Sequence, residues 1–149
     1  MEKPARVSLA QAESVWETAH ISAASLPSSV RTLRRQVIEF LQSSSSLFSQ
    51  EELSDIELAV GEACVNALKH GSPNGERDEI RVKCAKCVNA AVIEVSDKGP
   101  GFDPNSVQQF SKDNLTEGGV GIFLMRSLMD IVEFDFASGT TIRLVKHTS

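Results

Sequence analysis

Tyrosine is absent from the 149-residue sequence, tryptophan occurs once and cysteine only three times. Three thiols are too few, and odd in number, for the disulfide framework on which small secreted domains depend. Cys84 and Cys87 form a single CxxC, but a zinc site would need a second pair or histidines at matching spacing, and the sequence has neither. We therefore interpret all three cysteines as structural.

Long apolar runs are missing as well. No stretch approaches the roughly 20 apolar residues that span a bilayer, which argues against a membrane protein. The N-terminus lacks the apolar segment of a signal peptide, so a cytoplasmic protein is expected. The net charge of −5 argues against nucleic-acid binding through bulk charge. The length suits one domain, and we expect an N-terminal extension at 1–16 before a single domain at 17–149.

Residues 57–71, ELAVGEACVNALKHG, carry the strongest pattern in the chain and predict a helix. Either Ser49, through a loose capping-box pattern, or Ser54 is expected to open it, and Gly71 to end it. Glu62 and Asn66 lie four residues apart and share one face. Taken alone, this polar pair fits a solvated helix edge as well as a functional site. The apolar stripe beside it consists of Ile56, Ala59, Val60, Ala63 and Ala67.

The other periodic segments predict a sheet and two more helices. Leu26 to Leu41 has helical spacing, with Pro27 early and the following serines able to cap. Its arginines, Arg31, Arg34 and Arg35, are expected on the exposed side of that helix. Strands are predicted at 17–24, 80–84, 91–95, 132–136 and 140–145, with the second and third forming a hairpin, and a helix at 122–129. This order predicts a two-layer α/β sandwich with a mixed, mostly antiparallel sheet and helices on one face.

Two glycine clusters flank a segment with little pattern. Asp97 to Phe102, DKGPGF, follows a strand, and Gly118-Gly119-Val120-Gly121 opens a helix. The first cluster alone fits an ordinary turn, and the second fits a hinge as well as a phosphate cradle at a helix start. Residues 103–118 between them are long for an idle loop, so they are a candidate lid.

Together the three motifs, E-x-x-x-N on a helix, D-x-G-x-G after a strand and G-G-x-G opening a helix, resemble the ATP-binding Bergerat fold of gyrase-type ATPases and histidine kinases. The likeness covers residue 17 to the end and is greatest to the small bacterial anti-sigma factor/serine-protein kinases of the RsbW and SpoIIAB type. The segments that carry it are ELAVGEACVNALKHG, DKGPGF, GGVGIFLMRSLMDIVEF and GTTIRLVK.

The resemblance implies ATP and Mg²⁺ as cofactors. By this likeness Asn66 coordinates Mg²⁺, Glu62 is the general base, and Asp97 binds the adenine amine with Thr140 supporting it through water. The remaining nucleotide-site residues implied by the resemblance are Lys69, His70, Gly99, Gly101, Phe102, Gly118, Gly119, Val120 and Gly121. In several relatives the glutamate activates water, so the motif does not separate a kinase from an ATPase.

The function implied by the resemblance is an anti-sigma factor that is also an ATP-dependent serine/threonine-protein kinase. Its partners would be a sigma factor and an anti-anti-sigma antagonist of the STAS type, and the chain would form a homodimer. Neither a nucleic acid nor a membrane is an expected partner. The alternative is a nucleotide-gated binding module of the same fold without kinase activity. The arginines of the first helix fit either an acidic-partner patch or a solvated face.

Overall fold

The computed structural model describes residues 15–43, 47–99 and 117–148. Gly101, Phe102 and the lid segment 103–116 lie outside the described residues, so these expectations stay predictions. None of the helices in the described residues is long and apolar enough to cross a membrane. The helices are α1 (Pro27–Gln42), α2 (Gln50–His70) and α3 (Glu117–Leu128), with a 3-10 turn at Gly75–Arg77. The strands are β1 (Val15–Ala24), β2 (Glu79–Cys87), β3 (Ala90–Asp97), β4 (Ile131–Asp135) and β5 (Thr140–His147).

The strands form one sheet in the order β1-β2-β3-β5-β4, and each pairing described is antiparallel. β2 and β3 are joined by residues 88–89 and form the hairpin that the sequence predicts. The helices pack on one face of the sheet, where alternate strand side chains enter the main core. The expected two-layer α/β sandwich is confirmed, with an antiparallel sheet in the part of the chain described.

α2 lies at the centre of the main core because its apolar positions recur every three or four residues. All five residues of its predicted stripe are at most 2% exposed. Ser49 opens the helix, since its hydroxyl accepts from the Glu52 amide at 3.1 Å and the Glu52 carboxylate accepts from the Ser49 amide at 2.9 Å. This complete capping box decides between the two candidate starts.

The start of α1 differs from the expectation. Leu26 is the N-cap residue, Pro27 follows it, and the cap has no side-chain hydrogen bond. The prediction that Ser28 or Ser29 caps the helix was wrong, because the helix begins before both serines. Proline at the first helical position lacks the N–H that a cap would satisfy, so one fewer donor is left unpaired.

Arg34 requires a second correction. Arg31 and Arg35 are exposed as expected, but Arg34 turns toward α2 and its Nε is buried. A Cβ placed on Gly61 would lie 2.6 Å from Arg34 Cδ, so the bare glycine leaves room for the arginine stem to cross α2. The helical period alone did not reveal this, since a long side chain can bend across a neighbouring element.

The glycine cluster at 118–121 lies inside α3 rather than before it. α3 begins at Glu117 and ends at Leu128, five residues earlier and one residue earlier than the predicted bounds. Gly121 is buried and falls in the second turn. The cluster therefore forms the N-terminal part of the helix, where unpaired backbone amides are concentrated.

Lys86 is fully buried on the helix side of β2. Its ammonium donates to Glu17 Oε1 at 2.9 Å, to the Ser43 carbonyl at 2.6 Å and to Ser43 Oγ at 2.9 Å. It also lies 4.7 Å from the centre of the Phe40 ring. A buried charge is tolerated only when it is paired and hydrogen-bonded, and here that pairing ties β1 and β2 to the C-terminal end of α1.

We predict that Lys86→Ala lowers the free energy of unfolding by about 2–3 kcal/mol, because it leaves Glu17 and the Ser43 carbonyl without their donor and opens a cavity. Urea denaturation followed by circular dichroism measures the change. Lys83→Ala, an exposed lysine on the same strand, is the matched control and should cost less than ~0.5 kcal/mol. Equal stability of the two variants would contradict the structural role of Lys86.

Candidate functional site

Asp97 ends β3 and is 5% exposed, although it is a carboxylate. Its Oδ1 accepts a hydrogen bond from the Gly99 amide at 2.8 Å and a longer one from the Thr140 amide at 3.3 Å. Asp97 and Thr140 are register partners on β3 and β5, so the sheet itself fixes this geometry. No residue in the described ranges donates a hydrogen bond to Oδ2. The backbone therefore holds one oxygen, and the other has the capacity to accept further hydrogen bonds.

Three glycines surround this aspartate. A Cβ on Gly71 would collide with the Asp97 carboxyl group, and a Cβ on Gly99 would collide with the Gly71 backbone. A Cβ on Gly139, whose φ is +81°, would collide with the Asp97 carbonyl oxygen. Because each glycine removes a clash, the end of α2 and the β4–β5 turn approach the end of β3 at backbone distance.

The end of α2 is held in this position by serines. Ser72 Oγ donates to the Ala67 carbonyl at 3.0 Å and forms a short hydrogen bond with Ser25 Oγ. The Ser25 amide in turn donates to the Asp78 carbonyl at 2.9 Å. These contacts join the β1–α1 corner, the end of α2 and the start of β2, so Gly71 has a fixed position beside Asp97.

Burial raises the pKa of the Asp97 carboxyl above its usual range. The amide hydrogen bonds from Gly99 and Thr140 and the nearby His70 act in the opposite direction, and Asp78 adds a smaller upward effect. Desolvation dominates because the carboxyl group is enclosed by glycine backbone rather than by charged side chains. A group of this kind is a strong acceptor when ionised and loses that capacity at a higher pH than an exposed aspartate.

Two buried polar atoms near these elements have no hydrogen-bond partner in the described part of the chain. They are Thr140 Oγ1 and Asn66 Nδ2, on residues that are 2% and 7% exposed. An unpaired buried polar atom costs about 1–3 kcal/mol, so its retention calls for a partner. Both residues are among those that the family resemblance implies for the nucleotide site, and a bound ligand is one source of partners.

Glu62 and Asn66 lie one turn apart on α2, as their spacing predicts. Glu62 is partly exposed while Asn66 is buried. A Cβ on Gly121 would lie 3.0 Å from Glu62 Oε2, which places this carboxylate against the N-terminal part of α3. The positive end of a helix favours a neighbouring negative charge, whether it belongs to a side chain or to a ligand phosphate.

The structure brings Glu62 of α2 next to Gly121 of α3. It also brings Gly99 and Thr140 to Asp97 at the ends of β3 and β5. Lys69 and His70 are exposed in the last turn of α2, and His70 has a lowering effect on the pKa of the Asp97 carboxyl. Gly118, Gly119 and Val120 belong to the first turn of α3.

Burial raises the pKa of Cys64 and of Cys84 to about 12, with Arg34 acting against the shift at Cys64 and Cys64 adding to it at Cys84. Burial raises the pKa of Cys87 as well. The thiolate form is therefore disfavoured near neutral pH, which supports the structural interpretation of all three cysteines. Within the described ranges no three His, Cys, Asp or Glu side chains are grouped so that they could hold a metal ion.

The sequence interpretation missed the roles of Gly71 and Gly139. Gly71 was expected only to end the helix, yet its φ of −110° is open to any residue, so the close approach of Asp97 is what requires glycine. Gly139 was not assigned to the site. The signal available in the sequence was that both glycines lie next to other site segments, but only the fold brings them to Asp97.

Comparison with known proteins agrees with this arrangement. Residues 23–146 match the family model of the histidine kinase-like ATPase domain. The serine-protein kinase RsbW of Bacillus pumilus is 38% identical over 64% of this chain and 65% of its own length. The RsbW of Bacillus subtilis is 32% identical over 67% and 68%. An anti-sigma F factor of Clostridium botulinum is 32% identical over 64% and 71%. The match thus spans slightly less than two thirds of the Bacillus pumilus kinase.

Among solved structures, the histidine kinase domain of a blue-light activated histidine kinase from Erythrobacter litoralis superposes with a TM-score of 0.50. The two sequences are 17% identical, and the match covers 66% of this chain and 45% of the other. At this identity the likeness concerns the fold alone.

We predict that Gly71→Ala destabilises the fold by about 2–4 kcal/mol, because the new methyl group displaces the Asp97 carboxyl from its two amide donors. Thermal or urea denaturation measures the effect. Gly75→Ala is the control: its Cβ meets nothing within 4 Å, and its φ of +63° limits the cost to about 1 kcal/mol. A smaller loss for Gly71→Ala than for Gly75→Ala would show that the close packing around Asp97 is unimportant.

Proposed function

The chain belongs to the histidine kinase-like ATPase domain family, and within it to the RsbW type, and on this premise we propose that it is an ATP-dependent serine/threonine-protein kinase that also acts as an anti-sigma factor. The observation that carries the proposal is the buried Asp97 carboxylate, held by two amides and enclosed by glycines. Gly71 at the end of α2 packs against it, and the Glu62 and Asn66 pair lies earlier on the same helix. A flat base fits beside glycine backbone, where no Cβ blocks its approach.

Asp97 and the three glycines around it, Gly71, Gly99 and Gly139, are here termed the glycine cradle. Adenine is the base that suits this cradle. An ionised carboxylate accepts from the exocyclic amine of adenine, and the free Oδ2 of Asp97 is the acceptor we assign to it. The unpaired Thr140 Oγ1 supplies a second polar group beside the same register pair, either directly or through water. The lid and the glycines Gly99 and Gly101 complete the nucleotide site in this proposal.

The phosphates are assigned to the N-terminal part of α3 and to Asn66. Backbone amides at a helix start bind anions, and the glycines of residues 118–121 leave them unobstructed. Asn66 fits this region because it is buried and its amide oxygen is a hard ligand of the kind Mg²⁺ prefers. Its unpartnered amide nitrogen is a donor and would bind a phosphate oxygen or water. Asn66 would hold the ion, with phosphate oxygens and water as the other ligands. Bound there, Mg²⁺ would neutralise phosphate charge.

Glu62 is the general base in this proposal. Its carboxylate takes the proton from a substrate serine or threonine hydroxyl, the hydroxyl oxygen bonds to the γ-phosphorus, and the bond from that phosphorus to the β–γ bridging oxygen breaks to release ADP. Partial exposure of Glu62 supports this role, since an incoming hydroxyl has access to it. The nearby start of α3 keeps the carboxylate and the phosphates at the same helix end.

The partners follow from the relatives' names. An anti-sigma factor binds a sigma factor, and its serine-protein kinase activity acts on an antagonist, which we propose is an anti-anti-sigma protein of the STAS type. We propose that the chain works as a homodimer in the cytoplasm, where sigma factors act. Arg31 and Arg35 are exposed on α1, and Arg35 lies 3.7 Å from Glu39 of the same helix, so we take this side of α1 as a solvated face.

We predict that Glu62→Gln lowers phosphoryl transfer by at least about 100-fold while nucleotide affinity changes less than about threefold, since the base acts on the hydroxyl and not on the nucleotide. STAS-type proteins of the source genome are incubated with radiolabelled Mg-ATP and the chain, and both phosphoprotein and free phosphate are measured. Asn66→Ala is the contrasting variant and should weaken Mg-ATP binding. Tight ATP binding with no labelled protein would favour the binding-module alternative, and unchanged binding by Asn66→Ala would remove the metal assignment.

We predict that nucleotide affinity falls as the pH is lowered, and that the fall starts above the ordinary aspartate range. The pKa of Asp97 is raised, so the carboxyl protonates early, and its protonated form gives up an acceptor. Below that pKa the affinity should drop by about tenfold per pH unit. Calorimetric titration with adenosine diphosphate measures this. Asp97→Asn, which does not titrate, should bind more weakly and lose this dependence; an identical pH profile would contradict the assignment.

A further inference from the structure

The outer face of the sheet, opposite the helices, has two halves that differ in how their basic side chains are paired. On β3, β4 and β5, Arg143 is 8% exposed and forms hydrogen bonds of 3.0 and 2.7 Å with Glu94 Oε2. Glu133 lies 3.6 Å from the same guanidinium, and Ser96 bonds to Thr141 at 3.0 Å. In this half the Arg143 guanidinium is therefore paired within the protein.

The half formed by β1 and β2 is different. His20, Arg81 and Lys83, here termed the basic strip, are all exposed. The register pairs Lys83 with His20 and Arg81 with Ser22, so alternation puts the three side chains on the same outer face. None of them forms an ion pair with a residue in the described ranges. The register pairs Lys83 with Glu94 on β3, but the Glu94 carboxylate forms its ion pair with Arg143.

The basic strip borders a shallow depression of about 180 Å³. Its lining is His20, Ile21, Ser22, Glu79, Arg81, Val82 and Lys83. Glu79 is the acidic member and lies at one end, so the cationic part of the depression is the end nearer Lys83 and His20. A local positive site of this kind is complementary to an anionic segment.

The position of the strip indicates an extended partner. β1 is ten residues long and is an edge of the sheet, paired with β2 on one side only in the described part of the chain. Its other edge, unpaired among the described residues, presents backbone donors and acceptors to which a further strand can bind. Ser22 is small, so the long Arg81 side chain can reach past it toward a strand lying about 4.8 Å beyond β1.

We propose that the β1 edge and the basic strip form a docking site for an acidic, extended segment of a partner protein, which adds to β1 as a strand. Backbone hydrogen bonds to β1 hold the segment, and its carboxylates on the outer face pair with Arg81, Lys83 and His20. This site is separate from the nucleotide site, because the glycine cradle lies among the ends of α2, β3 and β5, whereas the strip lies on the opposite face of the sheet.

The test uses a fluorescein-labelled peptide of alternating glutamate and valine as the probe, with fluorescence anisotropy at low ionic strength. The expected result is saturable binding that weakens at least about tenfold in Arg81→Glu/Lys83→Glu, and that weakens with added salt. Glu79→Gln should strengthen binding by about twofold, since it removes the like charge at the end of the depression. Nucleotide affinity of each variant shows that the fold is intact.

Arg31→Glu/Arg35→Glu is the matched control, with the same charge change on the exposed side of α1, and should leave the affinity for the peptide unchanged. A second probe has the same side chains but N-methylated backbone amides, and should not bind. The proposal is overturned if the peptide fails to bind, if the α1 control loses as much affinity, or if the methylated peptide binds equally well. It is also overturned if Arg81→Glu/Lys83→Glu changes the sedimentation of the chain alone, because a second copy would then occupy the surface.

Discussion

The contact on which the site depends is the packing of one carboxylate against glycine backbone. Asp97 lies where the end of α2, the end of β3 and the β4–β5 turn meet, and a methyl group on Gly71 or Gly139 would prevent that meeting. The carboxyl group has a raised pKa because it is buried, and two backbone amides stabilise its ionised form by hydrogen bonds. The geometry that makes Asp97 expensive to ionise also makes it a selective acceptor, since water does not compete for it.

α2 links this cradle to the second part of the site. Its apolar stripe is buried against the sheet and α1, which fixes the rotation of the helix about its own axis. Once that rotation is fixed, the position of Glu62 and Asn66 follows from their spacing alone. Arg34 adds a further constraint, because it crosses α2 at Gly61, the residue before Glu62. The face that carries the polar pair is thus determined by contacts on the other faces of the helix.

The layers, the hairpin and the core stripe of α2 were predictable because they rest on periodicity and on local turn and cap chemistry. The same local rules gave the order of the motifs, and the resemblance built on that order predicted the family. What they did not give depends on contacts between distant segments. Gly71 and Asp97 are 26 positions apart, and no local pattern indicates that one leaves room for the other. Arg34 was placed on the wrong side for the same reason. Its period was read correctly, but its stem is long enough to reach a glycine on a neighbouring helix.

α2 has well-stabilised ends, whereas buried polar atoms on α2 and on the neighbouring β5 lack hydrogen-bond partners in the described chain. The helix has a complete capping box, acidic residues in its first turn and basic residues in its last turn, each of which stabilises it by about 0.3–1 kcal/mol. Against this, Asn66 Nδ2 and Thr140 Oγ1 are buried without a partner in the described chain, at about 1–3 kcal/mol each. Replacement of either side chain by an apolar one of similar size would relieve that cost. In the proposed function these two residues serve the metal ion and the purine, and a chain selected for binding rather than for maximal stability is expected to keep such unpaired groups.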